Sequence, residues 1–79
     1  MDVTIYTTTT CPWCRKTKEF FSKNKVKYRE INVAEDQEAA QEMIKKSGQT
    51  GVPVSVIDGE VIVGFDEPRL RKALKLAEA

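Results

Sequence analysis

The sequence predicts an α/β sandwich in the order βαβαββα, with one four-stranded mixed sheet flanked by three helices. Three observations predict it. Runs of β-branched residues alternate with segments whose apolar residues recur at intervals of three and four. Two of the runs are separated only by Asp58-Gly59, the strongest short hairpin signal a sequence offers. The first run leads into Cys11-Pro12-Trp13-Cys14, where the proline suits the first position of a helix. With 79 residues, the chain is large enough for a single core and is read as one domain spanning residues 1–79.

Each element follows from local pattern. Residues 2–7 are rich in β-branched side chains and apolar enough for a strand in the middle of a sheet. Residues 7–10 are the loop that delivers Cys11. A helix over 12–24 buries Cys14, Thr17, Phe20 and Phe21 on one face. Residues 26–33, with Val26, Tyr28 and Ile31 among charges, suit a strand nearer an edge, parallel to the first because a helix connects them. Asn32 is placed to cap the next helix, Ala40, Met43, Ile44 and Ser47 to form its inner face, and Gly48 to end it. The runs 53–57 and 60–63 pair antiparallel across the Asp58-Gly59 turn. Asp66 caps the last helix, Pro68 fits its first turn, and Leu70, Ala73, Leu74 and Ala77 form its stripe. Right-handed crossover places the first and last helices on one face of the sheet and the middle helix on the other.

A Cys-x-x-Cys pair at a strand-to-helix junction suits electron exchange with another disulfide. Cys11 would sit at the helix cap, where unpaired N–H groups and the positive end of the dipole favour a thiolate. The pair is a poor structural staple, because the loop it closes is too short to restrict the unfolded chain much. Two cysteines and no histidine leave a zinc site short of its four ligands unless a second chain supplies the rest, so no metal site is expected.

The first residues lack the basic and apolar segments of a signal peptide, and no stretch reaches membrane-spanning length. The reading is a soluble cytoplasmic monomer without a membrane partner, in a reducing compartment where a lasting structural disulfide is unexpected. A net charge of +1 gives no footprint for nucleic acid. Basic residues do cluster between Arg15 and Arg29, with acidic ones following from Glu30 to Glu42. These are read as solvated faces rather than a field that steers a partner.

The arrangement, with Cys11-Pro12-Trp13-Cys14 after the first strand, Thr50-Gly51-Val52-Pro53 before the third and a Gly64-Phe65-Asp66 turn, resembles the thioredoxin-fold glutaredoxins and glutaredoxin-like redoxins nearly end to end. That resemblance implies a thioredoxin-like sandwich. Trp13 stands in the aromatic position of the family's Cys-Pro-aromatic-Cys signature, usually tyrosine, and is read as a site residue rather than a core residue. The resemblance also implies a cis bond before Pro53, against the plainer alternative of a proline opening an edge strand. The backbone of Val52 would then pair with substrate beside the cysteines. Where many members read Gly-Gly-x-Asp-Asp at the glutathione-binding turn, this chain has Val63-Gly64-Phe65-Asp66-Glu67. Asp66 is compatible with both a glutathione contact and a helix cap.

The implied activity is dithiol–disulfide oxidoreduction of protein or low-molecular-weight disulfides, with Cys11 as nucleophile and Cys14 as resolving thiol. Pro12, Trp13, Gly51, Val52, Pro53, Gly64, Phe65 and Asp66 are the candidate substrate- or glutathione-binding residues. No cofactor is expected to be bound, and glutathione would enter as reductant or ligand. The partners implied are disulfide-containing or glutathionylated proteins. Thr8 stands where a lysine often contacts the glutathione carboxylate, and Val63 replaces the first glycine. The Gly-Phe step resembles redoxins that take electrons from thioredoxin reductase, so a thioredoxin-reductase-type flavoenzyme is expected to serve at least as well as glutathione. Two other classes remain open at this point: a glutathione-ligated iron–sulfur carrier, and a redox-inactive binding module on the same fold.

Overall fold

The computed structural model describes residues 2–76. Its elements are β1 (Val3–Thr7), α1 (Pro12–Lys23), β2 (Arg29–Asn32), α2 (Gln37–Ser47), β3 (Val54–Ile57), β4 (Glu60–Val63) and α3 (Glu67–Leu74). One sheet runs in the order β2-β1-β3-β4. β1 and β2 are parallel, as a helical crossover requires, while β3 is antiparallel to both β1 and β4. Asp58 and Gly59 both take positive φ, 48° and 88°, the backbone of a two-residue turn whose twist matches its strands. Asp2 is tied to that turn: its N–H donates to Asp58 Oδ1 at 2.7 Å and its carbonyl accepts from the Asp58 N–H at 2.8 Å.

Side chains alternate across the sheet and divide the interior into two cores. Val3, Ile5, Ile57 and Ile62 meet Phe20 and Phe21 of α1 and Leu70 and Leu74 of α3. Tyr6 and Val54 meet Ala39 and Met43 of α2 on the opposite face. The first and last helices therefore share one face, as the crossover rule predicts. Phe21 is fully buried, with its ring 5.3 Å from that of Tyr28. Truncating such a residue costs about 3–5 kcal/mol, comparable to the whole stability of a small domain. Clamping α1 to the sheet is thus a condition of folding, and it fixes where the helix start lies relative to β1.

Three sequence expectations need correction. β2 begins at Arg29 rather than Val26, because the chain is still leaving α1 there. Lys25 is left-handed at φ 58° and the Val26 N–H donates to the Phe21 carbonyl at 2.8 Å, a helix-ending turn that keeps Val26 out of the ladder. The cap of α2 is Asp36, whose Oδ1 accepts from the Ala39 N–H at 3.0 Å, and not Asn32. Asn32 instead accepts from the Ala34 N–H at 2.9 Å and donates to Thr9 Oγ1 at 3.1 Å, tying the end of β2 to the loop before Cys11. The inner face of α2 is rotated toward Ala39 and Met43, leaving Ile44 39% exposed. The last helix ends at Leu74, and Ala77 of its expected stripe lies outside the described residues.

Candidate redox site

The end of β1 and the start of α1 place the two cysteines. Cys11 is the extended residue capping α1, at φ −141° and ψ 100°, and Pro12 follows at the first helical position. Cys11 and Cys14 are joined by a disulfide with their Cα atoms 5.2 Å apart. The Cys14 N–H points at Cys11 Sγ, 3.0 Å away. The first turn of α1 carries no acidic residue, so nothing there neutralises the positive end of the helix. A sulfur in that place carries negative charge at low cost once the disulfide opens.

The two sulfurs differ in access. Cys14 is 2% exposed, whereas Cys11 is partly exposed. Cys11 also lines an open cavity of about 410 Å3 with Thr9, Thr10, Pro12 and Arg15. Arg15, exposed and lining that cavity, adds positive charge beside it. A reagent arriving from solvent reaches Cys11 first.

On the other side of the motif, Trp13 is 56% exposed. Its ring stacks on Phe65 with centroids 6.3 Å apart, and Phe65 meets the buried Phe20 edge-on at 6.0 Å. Lys16 Nζ sits 5.2 Å from the indole centroid. Trp13 is thus held out over the surface by ring contacts and a cation, as an amphipathic aromatic in a binding site is. Together with Val52, Pro53, Gly64 and Phe65 it lines a groove of about 250 Å3.

The Val52–Pro53 bond is cis, as the resemblance implied. The Gly64 N–H donates to the Pro53 carbonyl at 2.8 Å, extending the β3–β4 ladder by one step. Val52 lies just beyond, and among the described residues no backbone group pairs with its N–H or carbonyl. An unpaired backbone edge beside an aromatic groove can accept another extended chain.

Five of the expected site residues therefore meet in one groove beside the cysteines. Two do not line it. Asp66 caps α3, its Oδ1 accepting from the Arg69 N–H at 3.3 Å, and Gly51 is paired with the side chain of Gln49. Thr9, Thr10 and Arg15 line the cavity at Cys11 without having been singled out as binding residues. Adjacency to the motif was the signal for the two threonines, and charge as well for Arg15. No cluster of three or more His, Cys, Asp or Glu that could hold a metal occurs among the described residues. No helix there is long and apolar enough to cross a membrane.

Beneath the site, Glu30 Oε2 accepts from Thr7 Oγ1 at 2.8 Å and from Lys18 Nζ at 2.9 Å. The Lys18 bond, then the Thr7 hydroxyl, hold the Glu30 carboxyl below its ordinary range. This ties β2 to the end of β1 and to α1.

Comparison with known proteins agrees with this geometry. Residues 3–62 match the family described as Glutaredoxin. An uncharacterized glutaredoxin-like 8.6 kDa protein encoded in a rubredoxin operon of Clostridium pasteurianum is 44% identical over 73 residues, covering 92% of this chain and 97% of that one. The crystal structure of a mutant of the thioredoxin-like protein BC3987 superposes with a TM-score of 0.91 at 33% identity, covering 96% of this chain and 97% of that one. The glutaredoxin-like protein NrdH-redoxin from Escherichia coli, described for its thioredoxin-like activity profile, superposes with a TM-score of 0.80 at 29% identity, covering 100% of this chain and 99% of that one. The sandwich is thus thioredoxin-like, the cysteines form the disulfide such proteins exchange, and the chain belongs to the glutaredoxin family of thiol–disulfide oxidoreductases.

Proposed function

We propose that Cys11 and Cys14 form the redox pair with which this chain, acting as a monomeric single domain of residues 1–79 in the cytoplasm, reduces disulfides of proteins or small thiols. The observation that carries this reading is the asymmetry of the pair: a partly exposed Cys11 whose Sγ faces a backbone N–H at the helix start, and a buried Cys14 behind it. The Cys11 thiolate attacks one substrate sulfur, the substrate S–S bond breaks, and the departing thiolate takes a proton from solvent. Cys14, on losing its proton, attacks Cys11 Sγ and releases the second substrate thiol. The substrate gains two electrons and two protons, and the protein is left with the Cys11–Cys14 disulfide. A reductant must then reopen it.

Val52, Pro53, Trp13, Gly64 and Phe65 receive the substrate, its backbone lying along Val52 in the manner of an added strand. Pro12 supports the reading by starting the helix without a donor that would compete for Cys11. For the reductant, we read a thioredoxin-reductase-type flavoenzyme as at least equal to glutathione. Thr8 supplies no cation for a glutathione carboxylate, Val63 is an apolar residue 45% exposed where a glycine would leave room, and Asp66 has one oxygen engaged in capping α3. The likeness to a redoxin with a thioredoxin-like activity profile supports the same choice.

The test is trapping. Cys14→Ser incubated with a peptide disulfide should accumulate a stable mixed disulfide at Cys11, whereas Cys11→Ser should form none. Accumulation on Cys14 in the Cys11→Ser protein, with none on Cys11 in the other, would reverse the roles.

A further inference from the structure

The loop between α2 and β3 is tied by one side chain. Gly48, left-handed at φ 76°, ends α2 with its N–H on the Ile44 carbonyl at 2.7 Å. Ser47 Oγ lies 2.8 Å from the Met43 carbonyl and 3.0 Å from that of Gln49, and receives the Gln49 N–H at 3.4 Å. The backbone of Gln49 is therefore fastened to the last turn of α2. Its side chain reaches forward: Nε2 donates to the Gly51 carbonyl at 3.0 Å, and Oε1 accepts from the Gly51 N–H at 3.0 Å. A primary amide closing on both backbone groups of one residue copies the pairing of a neighbouring strand.

Gly51 is shaped to this clamp. A Cβ built there would lie 2.8 Å from Gln49 Oε1, closer than such contacts tolerate. The backbone at Gly51 has no positive φ to demand glycine, so what glycine provides here is room for the amide. The next residue is Val52, whose backbone pairs with no other backbone group among the described residues and which lines the groove with Trp13, Pro53 and Phe65. Pro53 is fixed on the far side by the Gly64 N–H on its carbonyl at 2.8 Å. Val52 is thus an unpaired backbone step held between two fixed neighbours.

We propose that Gln49 is a positioning residue for substrate docking: by satisfying both backbone groups of Gly51, it preorganises the adjacent Val52 edge to pair with the backbone of an extended disulfide-containing peptide. The inference rests on the reading that Val52 receives substrate backbone. It adds which side chain prepares that edge, and it assigns the specificity to peptide rather than small-molecule disulfides. Ordering a loose loop residue on binding costs roughly tenfold in affinity, so a clamp that has already ordered it lowers KM without touching the sulfurs.

The experiment compares three disulfides: a cystine-containing peptide, the same peptide N-methylated at the residues flanking its cysteine, and the aromatic disulfide DTNB, which has no peptide backbone. Gln49→Ala should raise KM for the ordinary peptide about five- to tenfold, leave kcat within about twofold, and leave DTNB reduction unchanged. Gly51→Ala should raise the peptide KM similarly by displacing the amide, and should add little in a Gln49→Ala background, because both changes remove the same clamp. Equal losses on the peptide and DTNB would mark Gln49 as merely structural and overturn the proposal, as would an unchanged peptide KM or full additivity of the two substitutions. The N-methylated peptide separates this from the underlying reading. If wild-type protein distinguishes it from the ordinary peptide while Gln49→Ala matches wild type on both, the Gln49 role fails and the Val52 reading stands. If wild-type protein treats both peptides alike, the Val52 reading fails and takes this inference with it.

Discussion

Replacing Ser55 by alanine should make the protein more stable. Ser55 lies in β3 directly opposite Ile5 of β1 and Ile62 of β4, and it is fully buried. Its hydroxyl is the one buried side-chain polar atom among the described residues without a hydrogen-bond partner. Leaving a buried hydroxyl unpaired costs about 1–3 kcal/mol, and deleting one heavy atom from a packed site costs roughly 1 kcal/mol or less. Ser55→Ala should therefore gain about 1 kcal/mol, which in a domain of this size raises the melting temperature by about 4–8 °C. Thr17 is the control, since it is equally buried but donates to the Trp13 carbonyl at 2.8 Å. Thr17→Val should lose about 1 kcal/mol by removing a hydrogen bond that is made. Urea denaturation of the oxidised proteins, with m-values compared, measures both. If Ser55→Ala were the less stable protein by about 1 kcal/mol at unchanged m, the hydroxyl would have a partner and the reasoning from its orphan state would be refuted.

Three further outcomes are expected. Because Glu30 is held below its ordinary range, first by Lys18 and then by Thr7, its contribution to stability is present above that range and lost as pH falls through the lowered value. The contribution is small because the side chain is 37% exposed, and Glu30→Gln should narrow the difference between urea midpoints at pH 7 and pH 3; an unchanged difference would remove Glu30 from the account. Trp13→Ala should raise KM for a peptide disulfide several-fold, up to about tenfold, while Trp13→Phe keeps most of the affinity, since the stack on Phe65 is what holds the ring in the groove; equal losses would point to the indole N–H instead. Stopped-flow reduction of the Cys11–Cys14 disulfide at matched driving force should be at least as fast with a thioredoxin-reductase-type flavoenzyme as with glutathione. Rapid reduction by glutathione with no turnover by the flavoenzyme would contradict that choice of donor.

Much of this was legible because it is local. The cap at Cys11, the Asp58-Gly59 turn, the Gly48 stop and the Asp66 cap are each set by residues within a few positions of one another. Their chemistry admits few alternatives. The start of β2 was not legible, because Val26 and Tyr28 carry strand-like side chains while the exit turn of α1, through a left-handed lysine instead of the usual glycine, withholds Val26 from the ladder. Asn32 and Asp36 are equally good capping residues in isolation. What separated them was the tertiary pull of Asn32 toward Thr9. At the site, the cysteines and the Val52–Pro53 step carried recognisable patterns. The Gln49 clamp did not, because a glutamine two residues before a glycine has no meaning until the loop folds back on itself.

The central claim is that the two cysteines are unequal, with Cys11 the attacking sulfur and Cys14 the one in reserve. Alkylation of the fully reduced protein with iodoacetamide at pH 7, followed by mass spectrometry of each cysteine peptide over time, tests it most directly. Cys11 should be modified at least about tenfold faster than Cys14, given its exposure and its place at the positive end of α1. Equal rates, or faster modification of Cys14, would contradict the account.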